Sequence, residues 1–251
     1  MTKTVLITGA AGGIGTALAK RMAAKGYNIS LVDIDEKALD AVKASLGAPE
    51  GTVLTTGADV SKEDDVARYV AATIEKFGSI DYFANNAGIE GKSVSIEDMD
   101  VSEFDRVYSI NVKGVFLGLR AVIPQMRKQG SGAIVNTASL AALFGLPNMA
   151  AYIMSKHAVA GLTKVAAVET AAAGIRVNAI LPGVINTGMM RRIENDTPDA
   201  VATRAAFEAA SPMKRYGEPD EAAAVMAFLL SDEASYVTSS LYTVDGGTMW
   251  M

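Results

Sequence analysis

Cysteine is absent from the 251 residues, and histidine occurs once, at His157. The first absence removes disulfides, thiolate metal sites and cysteine nucleophiles. The second leaves a single imidazole on which any His-ligated metal or Ser/His pair would have to be built, so no metal is expected. Blocks of like charge are lacking too: 23 Lys plus Arg stand against 28 Asp plus Glu, a formal net charge of -5, which excludes the footprint of a nucleic-acid or anionic-membrane binder. Half of the residues are hydrophobic, enough to build a core and to exclude a disordered chain. Thr4-Val5-Leu6-Ile7 follows Met1 almost at once, without the basic and apolar regions of a secretory signal, and a cytoplasmic protein is expected. The charge-free stretch from Gln129 to Ser155 is interrupted by Asn136, Thr137, Ser139, Pro147 and Asn148, so it reads as buried strand plus loop and not as a membrane span.

Short apolar runs alternate with longer segments of helical period, the signature of βαβ units and of a parallel sheet covered on both faces. Strands are expected at Thr4-Ile7, Ile29-Val32, Thr52-Thr56, Tyr82-Ala84, Ala133-Asn136, Val177-Leu181 and Leu241-Val244, seven in all. Helices are expected near Ile14-Lys25, Glu36-Leu46, Glu63-Phe77, Glu103-Lys128, Tyr152-Ala172 and Glu221-Leu230. Ser61 and Ser102 are placed to cap the third and fourth of these, Gly130 to end the fourth, and Pro219 to occupy a first turn. No linker, repeat or low-complexity tract interrupts the alternation, which predicts one domain over residues 1–251 with a doubly wound, Rossmann-like α/β fold. The irregular stretch is 186–217. It follows a strand and contains Thr197-Pro198-Asp199, suited to starting a short helix, so a substrate lid is expected there.

The first strand runs into Thr8-Gly9-Ala10-Ala11-Gly12-Gly13-Ile14-Gly15 and then an amphipathic helix. Glycine is required where the turn is tight and where backbone approaches a pyrophosphate, which the helix N-terminus meets with free amide groups. Asp33 ends the second strand, where a carboxylate accepts the hydroxyls of an adenosine ribose and repels a 2'-phosphate. NAD is therefore expected over NADP, since neither the loop nor Ile34 supplies a cation for that phosphate. Asp35 is the better placed of the two acids to cap the next helix.

Tyr152 and Lys156 lie four apart on one helical face. A phenol of pKa near 10 is a poor base, and lowering it by about 2 units takes roughly 2.7 kcal/mol of preferential phenolate stabilisation, for which a nearby ammonium is a suitable source. Taken with its surroundings, the chain resembles the short-chain dehydrogenase/reductase family over essentially its whole length. The resemblance rests on the glycine motif at Thr8, Gly9, Gly13 and Gly15, Asp59-Val60, Asn85-Asn86-Ala87-Gly88, Asn111, Ser139 thirteen residues before Tyr152, and Pro182-Gly183 with Thr187. Tyr242-Thr243-Val244-Asp245-Gly246-Gly247 also resembles the family's ending, except that Ser239 stands where glycine is usual.

That resemblance implies the roles. Tyr152 takes the alcohol proton during oxidation, or donates it during carbonyl reduction, while hydride moves to or from the nicotinamide, and Ser139 hydrogen-bonds the substrate oxygen. Lys156 binds the nicotinamide ribose and biases Tyr152 toward phenolate, and Asn111 holds a water that links Lys156 to solvent. Gly9, Gly13, Ile14, Gly15, Asp33, Asp59, Val60, Asn86, Ala87, Gly88, Pro182, Gly183 and Thr187 line the cofactor. Leu140, Met149, Met189 and Met190, with Leu143 and Met154, suggest an apolar pocket for a hydrophobic, cyclic secondary alcohol or ketone. His157 lies on another helix face and is expected to make only a packing or surface contact. Family members commonly form tetramers, which would pair the helices bearing Asn111 and Tyr152 and cover Met249-Trp250-Met251. The alternatives are an NADPH-preferring carbonyl reductase and a non-catalytic dinucleotide sensor, although a sensor would be expected to lose Ser139, Tyr152 or Lys156.

Overall fold

Both faces of the central sheet are covered, and the first strand records this directly: all five residues of β1 (Thr4–Thr8) are buried. The structure, a computed structural model, describes residues 2–250. The strands β1, β2 (Asn28–Asp33), β3 (Val53–Gly57), β4 (Tyr82–Asn85), β5 (Gly132–Thr137), β6 (Ile175–Pro182) and β7 (Leu241–Val244) pair in the order β3-β2-β1-β4-β5-β6-β7. Every pairing is parallel. All seven expected strands are present, and the register places Ile7 beside Leu31 on one side and Ala84 on the other.

The helices divide between the two faces. On one side lie α3 (Glu63–Phe77), α4 (Val101–Tyr108), α5 (Gly114–Gln129) and α6 (Ala150–Thr170). There Phe83, Val122, Met126 and Ile134 form the centre of one apolar cluster. On the other lie α1 (Gly13–Ala24), α2 (Glu36–Ser45) and α9 (Pro219–Leu230), with Leu18, Met22, Ile29, Leu39 and Met226 in a second cluster. Between β6 and α9 the 186–217 stretch forms α7 (Gly188–Asn195) and α8 (Ala200–Ala210). The charge-free Gln129 to Ser155 stretch is β5, a short 3-10 turn at Leu140–Ala142, a loop and the first turns of α6. Val101–Gln129 has the length and mean hydropathy of a bilayer span, but half of its most apolar window is packed into the fold.

Boundary chemistry agrees with the sequence in part. Asp35 caps α2 by accepting from the Ala38 amide at 3.0 Å, Gly130 ends α5 at φ 69, and Pro219 opens α9. Three caps fall elsewhere. Helix α3 starts after Lys62, because the Ser61 hydroxyl is turned back to donate to Asp59 at 2.7 Å. Ser102 lies inside α4, whose cap position is Asp100. Helix α8 is capped by Asp199, which accepts from the Ala202 amide at 2.9 Å, so Thr197 and Pro198 precede the helix. The long helix expected over Glu103-Lys128 is also interrupted: Ser109–Lys113 is a π segment, in which the Gly114 amide reaches the Ser109 carbonyl. Ser239, at the position where the family usually has glycine, adopts φ 64.

Candidate active site

Strand order reverses between β1 and β4, and the crevice at their carboxyl ends is where such a sheet accepts a ligand. One side chain knits this region together. Asn86 donates through Nδ2 to the carbonyls of Thr8 (3.1 Å) and Gly9 (3.2 Å), and its Oδ1 accepts from the Thr137 hydroxyl (2.9 Å). The Thr8 hydroxyl in turn accepts from the amides of Asn86 (2.9 Å) and Ala87 (3.2 Å). The ends of β1, β4 and β5 are thus fixed to one another.

The residues around the crevice fit a dinucleotide. Gly9 has φ 63, and a Cβ on it would lie 2.8 Å from Ala87 Cα, so the turn admits no side chain. Helix α1, which begins Gly13, Ile14, Gly15, has Gly12 as its cap, with no capping side chain and no acid in its first turn, so its first amides stay open to an anion. Asp33, half-buried at the end of β2, accepts from the amides of Ala11 (3.0 Å) and Asp35 (3.2 Å), which orients its carboxylate beside the glycine loop. No ion pair forms to it among the described residues, and Ile34 next to it is 74% exposed. Asp59 accepts from the Ser61 amide and hydroxyl, and Val60 packs over Gly114 at the end of the π segment. On the far side, Pro182 ends β6, Gly183 donates to the Val244 carbonyl at 3.0 Å, and Thr187 caps α7 with its methyl over Gly13.

Tyr152, Lys156, Ser139 and Asn111 converge on this crevice. Lys156 is buried. Its ammonium donates to the Thr137 carbonyl at 3.0 Å and sits 5.5 Å from the centroid of the Tyr152 ring, and burial pushes its pKa down to about 8. It reaches that place beside Gly88, where a Cβ would come within 3.4 Å of Nζ. Burial pushes the Tyr152 phenol above its ordinary value, its hydrogen bond with Ser139 pulls it down, and the Glu90 carboxylate pushes it up. Burial is the largest of these influences on the phenol. Ser139 also accepts from the Ala141 amide at 3.2 Å, which holds its hydroxyl at the strand end.

Asn111, 1% exposed, lies in the π segment. Its side chain accepts from the Ile89 amide (2.8 Å) and donates to the Ile89 carbonyl (2.8 Å) and to Ser155 Oγ (3.0 Å). Both amide hydrogens and the oxygen of this side chain are therefore engaged within the chain. Of the apolar candidates, Leu140 is 4% exposed and packed toward Gly183, while Met149, Met189 and Met190 are half-buried. His157 is exposed and bonds only the Ile153 carbonyl of its own helix.

Two features escaped the sequence. Thr137 ties Lys156 to Asn86 through its carbonyl and its hydroxyl, a contact between β5 and α6 that no motif announces. Arg192 of α7 forms a two-pronged ion pair with Glu90, two residues beyond Gly88 (Nε to Oε1 2.6 Å, Nη2 to Oε2 3.2 Å). Its only sequence signal was an acid next to the Asn-Asn-Ala-Gly segment.

Comparison with known proteins agrees with this geometry. The family model described as enoyl-(acyl carrier protein) reductase matches residues 9–249. Levodione reductase of Leifsonia aquatica is 51% identical, over 98% of this chain and 93% of that protein. A crystal structure of levodione reductase superposes with a TM-score of 0.96 at 50% identity, over 98% of this chain and 97% of the other. Cyclohexanol dehydrogenase of an Acinetobacter species is 38% identical, over 97% of this chain and 94% of that protein. The crystal structure of an NAD+-bound xylitol dehydrogenase gives a TM-score of 0.92 at 39% identity, over 98% of both chains. Agreement of this extent in sequence and in backbone leaves one assignment: the chain belongs to the short-chain dehydrogenase/reductase family, enzymes that use a nicotinamide cofactor to interconvert alcohols and ketones.

Proposed function

We propose that this chain moves hydride between NAD(H) and a hydrophobic, cyclic secondary alcohol or its ketone, with Tyr152 as general acid and base. The observation that carries the reading is the placement of Tyr152 between the Ser139 hydroxyl and the Lys156 ammonium at the mouth of the β1–β4 crevice. When bound, the nicotinamide supplies or accepts the hydride. Tyr152 Oη gives its proton to the carbonyl oxygen in reduction and removes it from the alcohol in oxidation, and Ser139 Oγ donates to the same oxygen as charge develops. Lys156, anchored on Thr137, holds the ribose side, and Asn111 holds a water that links Lys156 to solvent. Burial keeps the phenol protonated at neutral pH, which favours ketone reduction there, and oxidation rises with pH.

Asp33 is the support for NAD: a 2'-phosphate would face an uncompensated carboxylate. Half-buried Met149, Met189 and Met190 support an apolar substrate, and the chain at 186–217 acts as the lid over it. The name of the Acinetobacter relative, cyclohexanol dehydrogenase, agrees with a ring alcohol. Working as one cytoplasmic domain, the chain assembles as a tetramer. The support is open apolar surface on the helices expected to pair: Val101, Phe104 and Tyr108 of α4, Phe116 of α5, and Val165 and Val168 of α6. The expectation for the C-terminus involves Met251 and the Trp250 side chain, which lie outside the described residues. The deciding experiment is a panel of cyclic, aromatic and aliphatic ketones and alcohols, read as NADH or NADPH absorbance. Turnover of no ring ketone with either cofactor would refute the proposal.

A further inference from the structure

We infer that Glu90 and Arg192 together are specificity-determining residues that make the site selective for uncharged ketones, Glu90 occupying the guanidinium that would otherwise receive a substrate carboxylate. The inference rests on the proposed site and adds a substrate class to it. The two residues stand on opposite walls. Glu90 follows Gly88 and Ile89, which pack on Lys156 and Asn111, and Arg192 belongs to α7, whose first turn carries Met189 and Met190 and whose cap Thr187 rests on Gly13. The ion pair therefore spans the opening through which a substrate approaches Tyr152.

Its geometry decides what that opening recognises. Both carboxylate oxygens of Glu90 are bonded to Nε and Nη2 of Arg192, the fork arrangement that a substrate carboxylate would need. The acid is the inner partner, with a side chain 16% exposed against 62% for Arg192, so an incoming anion meets a cation already neutralised and a carboxylate behind it. The neighbouring lid charges are committed elsewhere: Arg191 bonds Asn186 Oδ1 at 3.0 Å, and Arg204 bonds Glu208 at 3.1 Å and lies over the Tyr216 ring. Lys156 is buried on Thr137. The half-buried methionines of α7 beside the pair suit an uncharged ring.

The test compares cyclohexanone with 4-oxocyclohexane-1-carboxylate, using NADH and the full-length protein, and reads the ratio of their kcat/KM values (carboxylate over neutral). In the parent this ratio should lie below about one tenth. Glu90→Gln keeps an acceptor for Arg192 but removes the charge, and should raise the ratio by about tenfold or more, chiefly through KM of the carboxylate; Glu90→Ala should move it in the same direction. Adding Arg192→Met to Glu90→Gln should return the ratio to near the parent value. A ratio in Glu90→Gln and Glu90→Ala within about threefold of the parent's, or a gain that survives the loss of Arg192, would overturn the inference while leaving the proposed reaction intact. A parent that reduces neither ketone would overturn both.

Discussion

Replacing Lys156 by Met should exchange function for a pH-dependent gain in stability. Burial lowers the ammonium from 10.5 to about 8, a difference equivalent to roughly 3 kcal/mol. Below pH 8 the folded and unfolded chains both carry the proton, and the folded state bears the whole penalty. Between about pH 8 and 10.5 the unfolded chain binds more protons than the folded one, so parent stability rises with pH, and above that range the penalty is gone. Methionine has no such penalty, but it leaves the Thr137 carbonyl without its donor, a loss of about 1 to 3 kcal/mol. The variant should therefore match or exceed the parent by up to about 2 kcal/mol at pH 7 and fall below it by about 1 to 3 kcal/mol near pH 10.5. Urea unfolding of both proteins without cofactor, at equal concentration and at one-unit steps from pH 7 to 10, measures this difference while common titrations cancel. A difference that does not change with pH would refute the buried-ammonium account.

Tyr152→Phe should abolish turnover with cofactor affinity nearly intact, measured by NADH absorbance and by quenching of Trp250 fluorescence on cofactor titration; turnover within about tenfold of the parent would remove Tyr152 from the chemistry. The kcat/KM for NAD should exceed that for NADP by more than about tenfold, and Asp33→Ala with Ile34→Arg should narrow or reverse the preference; equal efficiencies in the parent would mean that Asp33 does not meet the ribose. Ser239→Gly should raise stability by up to about 1 kcal/mol, because a side chain at φ 64 is strained, and an unchanged or lower melting temperature would count against it. Light scattering should find a tetramer at micromolar concentration, and a monomer there would eliminate the assembly.

The parts of the molecule that depend on local chemistry were legible in the chain. Strand positions followed from continuous apolar runs buried on both sides, and Asp35 and Gly130 marked helix ends because their side chain or backbone acts within a turn. Ser61 and Ser102 misled: the Ser61 hydroxyl is taken by Asp59, Ser102 lies within α4, and neither helix receives a capping bond from the residue at its cap position. Helix α7 was hidden because its apolar period, Met189, Met190 and Ile193, spans only eight residues, too short a window to stand out in an irregular stretch. Residue types and spacing announced Tyr152 and Lys156, whereas the burial that pushes the phenol up and the ammonium down is a property of the packed site and has no counterpart in spacing.

The π segment at Ser109–Lys113 makes chain length itself a coordinate of the site. A five-residue turn carries one residue more than the α-helical turn it replaces, so deleting the exposed Lys113 would restore an ordinary helix and its better hydrogen bonds. That repair would turn the preceding stretch by about 100° relative to α5. Leu117, Val122 and Met126 are locked in the core, so the rotation would fall on Asn111 and tear it from Ile89 and Ser155. In this helix many side chains should tolerate exchange while the loss of a single residue should not. A deletion scan would locate the π turn as a sharp dip in activity against intact or improved helicity.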